Sequence, residues 1–371
     1  MKIIKKPAIA ILLSFLIYNT SACTKQTDNK DSLDIKIGQM LMTGYPGAHI
    51  DNNNPLLAEI EKGRIGGVIL FEKNIDSVES YQNLKNLTFT LQSHTKVPLF
   101  MAVDQEGGRV NRLKTKYCFP KSVSAAYLGM LDNEDSTKYY AQSTAATLAG
   151  LGFNVNFAPV LDLASNPDNP IIAQKERAYS ADPKMVAKHA GIVMKEHNRL
   201  HIITVGKHFP GHGSSKADTH KGIADVTTTW EENELAPYKT LIDAGLLKGV
   251  MSAHIVNKNL DSLGLPGTLS EQILNGILRQ RLGYDGVVFS DDMQMHAITK
   301  YYGVEKALEL GINAGLDVII YSNNISSSKE RDFNYLHSLI KQLVLDGKIK
   351  MERIDQSYAR IIKLKQEMLY E

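Results

Sequence analysis

The sequence predicts an α/β protein whose main body is a single (β/α)8 barrel of the TIM type. Eight short segments between residues 40 and 321 are nearly continuous in apolar residues, as expected of parallel strands buried on both faces. Stretches with helical periodicity separate these segments, and no second run of strands follows the last one. Such repeated strand–helix alternation favours a closed barrel. An open doubly wound sheet is the alternative, but the sequence lacks the Gly-rich dinucleotide fingerprint that we would expect of it.

The first predicted strand follows an amphipathic segment that begins at Leu33, and the others follow at intervals along the chain. In order, they cover Met40–Gly44, Gly67–Phe71, Leu99–Val103, Asn154–Val160, Ile202–Lys207, Gly249–His254, Gly286–Ser290 and Asp317–Tyr321. No Pro-rich or Ser-rich linker interrupts the series, so we expect one domain.

Helices are predicted where apolar residues recur with helical spacing. They cover Val78–Leu91, Lys138–Gly150, Pro183–Arg199, Glu231–Ala244, Ser270–Arg281 and Val304–Ala314, and a charged amphipathic helix over Arg353–Leu369 closes the barrel. Gly150, Gly245, Gly283 and Gly315 stand where helices should end, because glycine readily takes the left-handed conformation of a C-terminal cap.

The composition is that of a globular protein with balanced charge. The 371 residues include 42 Lys and Arg against 40 Asp and Glu, and 43% are hydrophobic. This balance argues against a nucleic-acid-binding protein and against an acidic disordered chain. The two cysteines, Cys23 and Cys118, cannot form a disulfide framework. We expect a monomer that needs no cofactor.

The N-terminus has the order of an export signal. Three lysines within residues 1–6 precede the apolar run Ala8–Tyr18, which is too short to cross a bilayer as a mature helix. The small residues Thr20–Ala22 and then Cys23 follow, so this segment resembles a bacterial lipoprotein signal in which the cysteine is acylated. An ordinary secretory signal and an uncleaved anchor are the alternatives.

This interpretation of the N-terminus divides the chain into three parts. Residues 1–22 are predicted to be the signal peptide, 23–32 a polar tether, and 33–371 the barrel domain. We therefore expect an exported protein held at a membrane through a lipid on Cys23.

Charged and imidazole side chains follow several predicted strands, at the end of the barrel where catalytic groups of this fold gather. They are Asp104, Glu106, Arg109, Asp162, Lys207, His208, His254, Asp291 and Asp292. Any one of them alone would be interpreted as a solvated loop residue. Together they predict a functional site, because neighbouring half-buried charges are costly.

Three of these segments are specific enough to suggest a family. They are Asp104–Arg112, the run Lys207–Gly213 (KHFPGHG) followed by Asp218–His220, and Phe289–Met293 (FSDDM). They resemble glycoside hydrolase family 3, and within it the β-N-acetylglucosaminidases of the NagZ type. The resemblance extends from about Ile35 to Leu364.

The resemblance implies hydrolysis of a terminal β-linked N-acetylglucosamine with retention of configuration, through a covalent glycosyl-enzyme. It assigns the nucleophile to Asp291. Asp292 is the rival, and we favour Asp291 because neighbouring residues at a strand end should point in opposite directions. The resemblance also assigns the acid/base to His220, oriented by Asp218. Gly211 and the residues near it are expected to make this loop mobile.

By the same resemblance, five residues are expected to bind the terminal sugar: Asp104, Arg112, Arg177, Lys207 and His208. The segment from Pro170 to Arg177 is slightly longer than the family pattern. His254 is expected only to pack near the sugar, and His212 to shape its turn. No metal is implied. The expected partner is a glycan that contains N-acetylglucosamine, derived from cell wall or of the chitin type.

Four alternatives remain open. A metal-dependent barrel hydrolase could use His208, His212 and Asp218 among its ligands, although Pro210 forbids the helix on which such a spacing usually occurs. A family 3 β-glucosidase would take its acid/base glutamate from a further domain. A phosphorylase would pair a histidine acid with phosphate as acceptor, and a non-catalytic lipoprotein would only bind sugars.

Overall fold

A computed structural model describes residues 32–219, 222–325 and 329–370. The described chain contains ten strands, which we number in order. They are β1 (Leu41–Gly44), β2 (Gly67–Leu70), β3 (Phe100–Val103), β4 (Val155–Asn156), β5 (Ile203–Phe209), β6 (Ala224–Asp225), β7 (Gly249–Ser252), β8 (Ile255–Val256), β9 (Val287–Phe289) and β10 (Ile319–Tyr321). Cys23, the predicted signal peptide and His220 lie outside the described residues.

Eight of these strands form one parallel sheet in the order β10–β1–β2–β3–β4–β5–β7–β9. A parallel bridge between Phe289 and Val318 joins β9 to the start of β10 and closes the sheet on itself. Strands β6 and β8 form a separate two-stranded pair. The predicted α/β fold with a single (β/α)8 barrel is therefore confirmed.

Helices surround the sheet and cover its outer face. They are α1 (Leu33–Gln39), α2 (Pro55–Glu61), α3 (Ser80–Ser93), α4 (Ala125–Leu131), α5 (Glu134–Gly150), α6 (Pro183–Asn198), α7 (Ala236–Asp243), α8 (His296–Thr299), α9 (Gly303–Ala314), α10 (Phe333–Leu345) and α11 (Met351–Tyr370). A π-helix over Gln272–Arg281 lies between β8 and β9. Among the described helices, none has the length and apolar content to cross a membrane.

The barrel interior is filled by aromatic and aliphatic side chains. The rings of Phe100 and Phe157 each lie 5.6 Å from the ring of Phe289, in edge-to-face arrangements. Burial of each such side chain contributes about 1.5–3 kcal/mol, and edge-to-face pairs add to that. This aromatic layer forms a rigid floor under the end of the barrel where the strands terminate.

One end of the barrel is plugged by a buried lysine from α11. The ammonium of Lys365 donates to Gln39 Oε1 and to the carbonyl oxygen of Gly66, both at 2.7 Å. It also lies 4.5 Å from the centre of the Phe100 ring. These contacts satisfy a cation that is only 2% exposed, and they bind α11 to the segments before β1 and β2.

Several boundaries differ from the prediction. The fourth strand is confined to Val155–Asn156. Beyond it the chain stays beside β5 through less regular contacts: the N–H of Val205 donates to the carbonyl oxygen of Ala158 at 3.1 Å, and a bridge joins Val160 to Lys207. The sixth strand of the barrel ends at Ser252, before His254. The predicted cap at Gly150 was wrong, since Gly150 is the last residue of α5 and the positive φ of 84° falls at Gly152.

The predicted helix over Glu231–Ala244 is divided. A 3-10 turn over Glu232–Leu235 comes first, and α7 then begins with Pro237 in its first turn, where a missing N–H costs nothing. Helix α10 was not predicted. Its start is capped by Asp332, whose Oδ1 accepts from the N–H groups of Asn334 and Tyr335.

Candidate active site

A cavity of about 480 Å³ opens at the C-terminal ends of the barrel strands. This volume lies in the usual range for pockets that hold small ligands. Its polar lining residues include Asp104, Arg112, Arg177, Lys207, His208 and Asp291. Its apolar lining residues include Ile69, Phe71, Phe157, Met251, Met295 and Ile320. The structure thus brings together all five predicted sugar-binding residues and the predicted nucleophile.

A buried ion-pair network forms one wall of the cavity. The ammonium of Lys207 lies 2.7 Å from Asp104 Oδ1 and 2.7 Å from Glu106 Oε1. Arg177 completes the network by donating through Nε and Nη2 to the two oxygens of Glu106, at 2.8 and 2.7 Å. Such two-point pairing fixes both position and orientation of the arginine.

The carboxylates of this network stay ionised because cations face them. Burial acts to raise the pKa of Asp104, but the charges of Lys207 and Arg112 outweigh it and hold the pKa below its ordinary value. For Glu106 burial acts in the same direction, and Arg177 and Lys207 together lower the pKa far more. The wall therefore presents charged acceptors and donors at neutral pH.

His208 is oriented from both sides of its ring. Its Nδ1 lies 2.6 Å from Asp162 Oδ2, and its Nε2 lies 3.2 Å from Arg177 Nη2. Because a guanidinium can only donate, Nε2 accepts and the proton resides on Nδ1, facing the carboxylate of Asp162. The imidazole is thus held as one tautomer.

Asp291 and Asp292 follow the end of β9, and both line the cavity. The strand has already ended at Phe289, so the alternation expected at a strand end is not imposed on this pair. The two carboxylates differ instead in their partners. Asp291 Oδ1 accepts from the N–H of Asp292 at 2.8 Å.

The carboxylate of Asp292 is bound into the loop that follows β10. It accepts from the hydroxyl of Ser322, from the N–H of Gln294 at 3.0 Å and from the N–H of Ser322 at 3.4 Å. Burial raises the pKa of Asp292 to about 6 despite these hydrogen bonds. A carboxylate engaged by three donors is poorly placed to attack a sugar carbon, which argues against Asp292 as the nucleophile.

His254 lies behind the cavity. It is fully buried, its Nδ1 is 2.8 Å from Thr268 Oγ1, and its Nε2 is 3.0 Å from the carbonyl oxygen of Asp292. Among the described residues that line the cavity, His254 is absent. The expectation that it packs near the sugar is replaced by a supporting role for the backbone at Asp292.

The loop that carries Asp218 enters the cavity one residue later. Asp218 is half-buried and does not appear among the described lining residues, whereas the buried Thr219 lines the cavity. His220 lies outside the described residues.

The glycines of this loop serve close packing. A Cβ on Gly213 would lie 1.9 Å from the carbonyl oxygen of Leu163. Residues 211–215 are all buried. These glycines therefore allow a close approach of backbone segments at the turn itself, and their predicted effect on loop mobility stays a prediction.

Some residues of the site were not predicted. Phe71 follows β2 and lies 5.7 Å under the guanidinium of Arg112. It could have been found by inspecting the residue after every strand. Lys175 also lines the cavity, and it belongs to an irregular segment whose path has no sequence signal.

No group of three or more His, Cys, Asp or Glu side chains within residues 32–219, 222–325 and 329–370 is arranged to hold a metal ion. The exposed Cys118 directly follows a 3-10 turn over Thr115–Tyr117.

The chain is similar to characterised families and structures. A family model described as "Glycosyl hydrolase family 3 N terminal domain" matches residues 32–364. "Beta-hexosaminidase A" of Pseudoalteromonas piscicida is 33% identical over 335 residues, which cover 85% of this chain and 55% of that protein. The "Beta-hexosaminidase" of Nitrosomonas eutropha is 35% identical over 275 residues, which cover 72% of this chain and 76% of that protein.

Among solved structures, a glycoside hydrolase family 3 beta-N-acetylglucosaminidase from Paenibacillus sp. superposes with a TM-score of 0.82 at 32% identity. The superposition covers 91% of this chain and 63% of that one. The chain thus spans just over half of the Pseudoalteromonas protein and under two thirds of the Paenibacillus structure. These similarities confirm the resemblance drawn from the sequence motifs, and the chain belongs to glycosyl hydrolase family 3.

Proposed function

We propose that the protein is a β-N-acetylhexosaminidase that releases terminal β-linked N-acetylglucosamine and retains the anomeric configuration. One observation carries this proposal. The carboxylate of Asp291 and the network of Asp104, Lys207 and Arg177 line the same cavity at the C-terminal end of the barrel. A nucleophile and a group of directional donors and acceptors therefore face a single sugar-sized space.

The lining suits an N-acetylated sugar. Sugar hydroxyls both donate and accept, so a wall of Asp104, Lys207 and Arg112 can satisfy them in pairs. Apolar side chains such as Phe157 and Met251 occupy the interior side of the cavity. They can cover the apolar face of the ring and the methyl group of the acetamide.

In the first step, an oxygen of Asp291 forms a bond to the anomeric carbon while the bond to the leaving oxygen breaks. His220 gives its proton to that oxygen, and Asp218 stabilises the imidazolium beforehand. In the second step, neutral His220 takes a proton from water as the water oxygen attacks the anomeric carbon. Asp291 leaves as a carboxylate, and two inversions retain the configuration.

The aglycone is proposed to be a cell-wall or chitin-type glycan. The exposed side chains of Arg109 and Lys175 also line the cavity. These two cations, of which Arg109 also lies 4.0 Å from the carboxylate of Glu176, favour an aglycone that carries carboxylates, as cell-wall fragments do. A neutral chitin oligomer would gain nothing from them.

We further propose that the protein is exported, acts as a monomer and is held at a membrane through a lipid on Cys23. The charged, apolar and small residues that precede Cys23 support this location.

The activity is tested with 4-nitrophenyl N-acetyl-β-glucosaminide. Release of nitrophenol, with the β-anomer as the first sugar product by NMR, is the expected result. Turnover should not depend on added phosphate, which separates hydrolysis from phosphorolysis. An α-anomer as first product would refute the retaining mechanism, and no release of either sugar or nitrophenol would refute the proposed function.

A further inference from the structure

A buried glutamate, Glu234, supports the turn formed by residues 211–215. In the sequence this turn precedes Asp218 and His220, which we call the acid/base segment. Glu234 belongs to the 3-10 turn Glu232–Leu235 and is 1% exposed. Its Oε2 accepts from the N–H of Gly213 at 3.0 Å. A Cβ on Gly211 would lie 2.5 Å from the same oxygen. The carboxyl group therefore fits into the hollow that two glycines leave in this turn.

The opposite side of the turn is held by residues that follow β4. Asp162 Oδ1 accepts from the N–H of His212 at 2.8 Å. Asn169 Nδ2 donates to the carbonyl oxygens of His212 and Gly213, at 2.8 and 3.0 Å. Consecutive backbone groups of the turn thus have side-chain partners from two directions, and Glu234 is the partner on the α7 side.

Short local hydrogen bonds connect this turn to the acid/base segment. Ser215 donates its N–H to the carbonyl oxygen of His212 at 3.3 Å. Its hydroxyl lies 2.9 Å from the carbonyl oxygen and 3.1 Å from the N–H of Ala217, the residue before Asp218. Asn166 binds the carbonyl oxygen of Ser215 at 2.8 Å. A displacement of the backbone at Gly213 would therefore also move Ala217, the residue before Asp218.

We propose that Glu234 is a positioning residue that sets the place of Asp218 by holding Gly213. This inference rests on the proposed function, since it concerns the acid/base of that reaction. Glu234 itself is not among the described residues that line the cavity. It acts on the reaction only through the backbone of the loop.

The environment of Glu234 is consistent with this role. Burial raises its pKa to about 7, and the charge of Asp162 acts in the same direction. Tyr238 from α7 also faces this pair of carboxyl groups. A neutral glutamine could therefore replace it and still accept the hydrogen bond from Gly213.

Three variants test the proposal. Glu234→Ala removes the acceptor, Glu234→Asp shortens its reach, and Glu234→Gln keeps an oxygen for Gly213. Glu196→Ala is the matched control, because Glu196 is a buried carboxylate on α6 that pairs with Arg199 and Gln142 away from the cavity.

Each variant is measured with an N-acetylglucosamine disaccharide and with the activated nitrophenyl substrate. A general acid contributes about 10²–10⁴-fold, so Glu234→Ala should lower kcat for the disaccharide by about 10²-fold. Its loss with the nitrophenyl substrate should be at least tenfold smaller. Glu234→Asp should show the same bias to a lesser extent. The kcat of Glu234→Gln should stay within about threefold of wild type for both substrates. Glu196→Ala should change kcat for the two substrates by the same factor.

Amide hydrogen exchange gives a readout that does not depend on activity. Glu234→Ala and Glu234→Asp should speed exchange over residues 211–219, whereas Glu196→Ala should not. Unchanged exchange in this segment, or equal losses for both substrates, would overturn the proposal. If His220→Ala shows the leaving-group bias and Glu234→Ala does not, the inference fails while the proposed function stands. An inactive wild type refutes the proposed function, and the exchange data then decide the structural part of the inference alone.

Discussion

Asp291 accepts a 2.8 Å hydrogen bond from the N–H of Asp292, while the carboxylate of Asp292 binds Ser322 in the loop after β10. The side chain of Asp292 thus anchors the backbone segment that carries Asp291. The two adjacent carboxylates therefore have different hydrogen-bond partners, although both residues line the cavity. The variants of these two residues should differ accordingly.

Asp291→Ala should reduce hydrolysis by several orders of magnitude, because the covalent step loses its nucleophile. A 2-fluoro or 5-fluoro sugar should label Asp291, as read by mass spectrometry of the digested protein. Asp292→Asn should keep part of the activity and lower stability instead, since it disturbs the contacts to Ser322. A label found on Asp292 would contradict the assignment.

His220→Ala should harm substrates with poor leaving groups most, because a sugar alkoxide needs a proton to depart and a nitrophenolate does not. The loss for a disaccharide should be about 10²–10⁴-fold in the first step. Asp218→Ala should give a smaller loss of the same kind, since a misoriented imidazole still donates at times. Kinetics with both substrates measure this, and equal losses would mean that His220 is not the acid.

Lys207→Met should destabilise the protein by about 3–5 kcal/mol, because it leaves the carboxylates of Asp104 and Glu106 buried without their shared cation. Urea unfolding measures this change. Lys365→Met is the control: that lysine is equally buried but binds only neutral groups, so we expect a loss of about 1–3 kcal/mol. Equal losses for the two variants would show that the carboxylates do not need Lys207.

Glu234→Gln should change how stability depends on pH. Burial and the charge of Asp162 raise the folded-state pKa of Glu234 from 4.5 to about 7. The folded protein therefore keeps a proton that the unfolded chain releases in this interval. Stability should fall by about 3 kcal/mol as the pH rises from 4.5 to above 7, and this component should vanish in the variant.

Urea unfolding at several pH values checks the prediction for Glu234. Asp292, whose pKa is also raised, is present in both proteins, so the difference between them isolates Glu234. Parallel curves for wild type and variant would refute the prediction.

Cys23→Ser should release the protein from membranes into the soluble fraction, because a serine cannot receive the thioether-linked lipid. Fractionation followed by immunoblotting measures membrane association, and labelling with a fatty-acid analogue measures acylation directly. Membrane association that is unaffected by the substitution would remove the lipoprotein hypothesis.

The barrel was predictable because its strands are buried on both faces and must therefore be apolar runs. The rule that catalytic groups follow the strands also placed Asp104, Lys207 and Asp291 together. The length of β4 was not predictable from apolar residues alone, since the apolar run continues past Asn156 while the pairing with β5 becomes irregular there.

The remaining site residues depend on contacts that a linear pattern does not contain. Arg177 reaches the site from an irregular segment by pairing with Glu106, 71 positions earlier. Glu234 follows Glu231 and Glu232 in an ordinary charged stretch, and only its contact with Gly213 distinguishes it. The direction in which Asp292 points could not be predicted either, because it depends on the loop after β10.

The buried ammonium of Lys365 has a consequence for synthesis of the chain. Its acceptors, Gln39 Oε1 and the carbonyl oxygen of Gly66, are separated from it by 326 and 299 positions. Until residue 365 has left the ribosome, that end of the barrel is open and these oxygens lack the donor that α11 supplies. A nascent chain that carries every side chain of the cavity therefore still waits for α11 before its barrel is sealed, and a chaperone would meet it in that unsealed form.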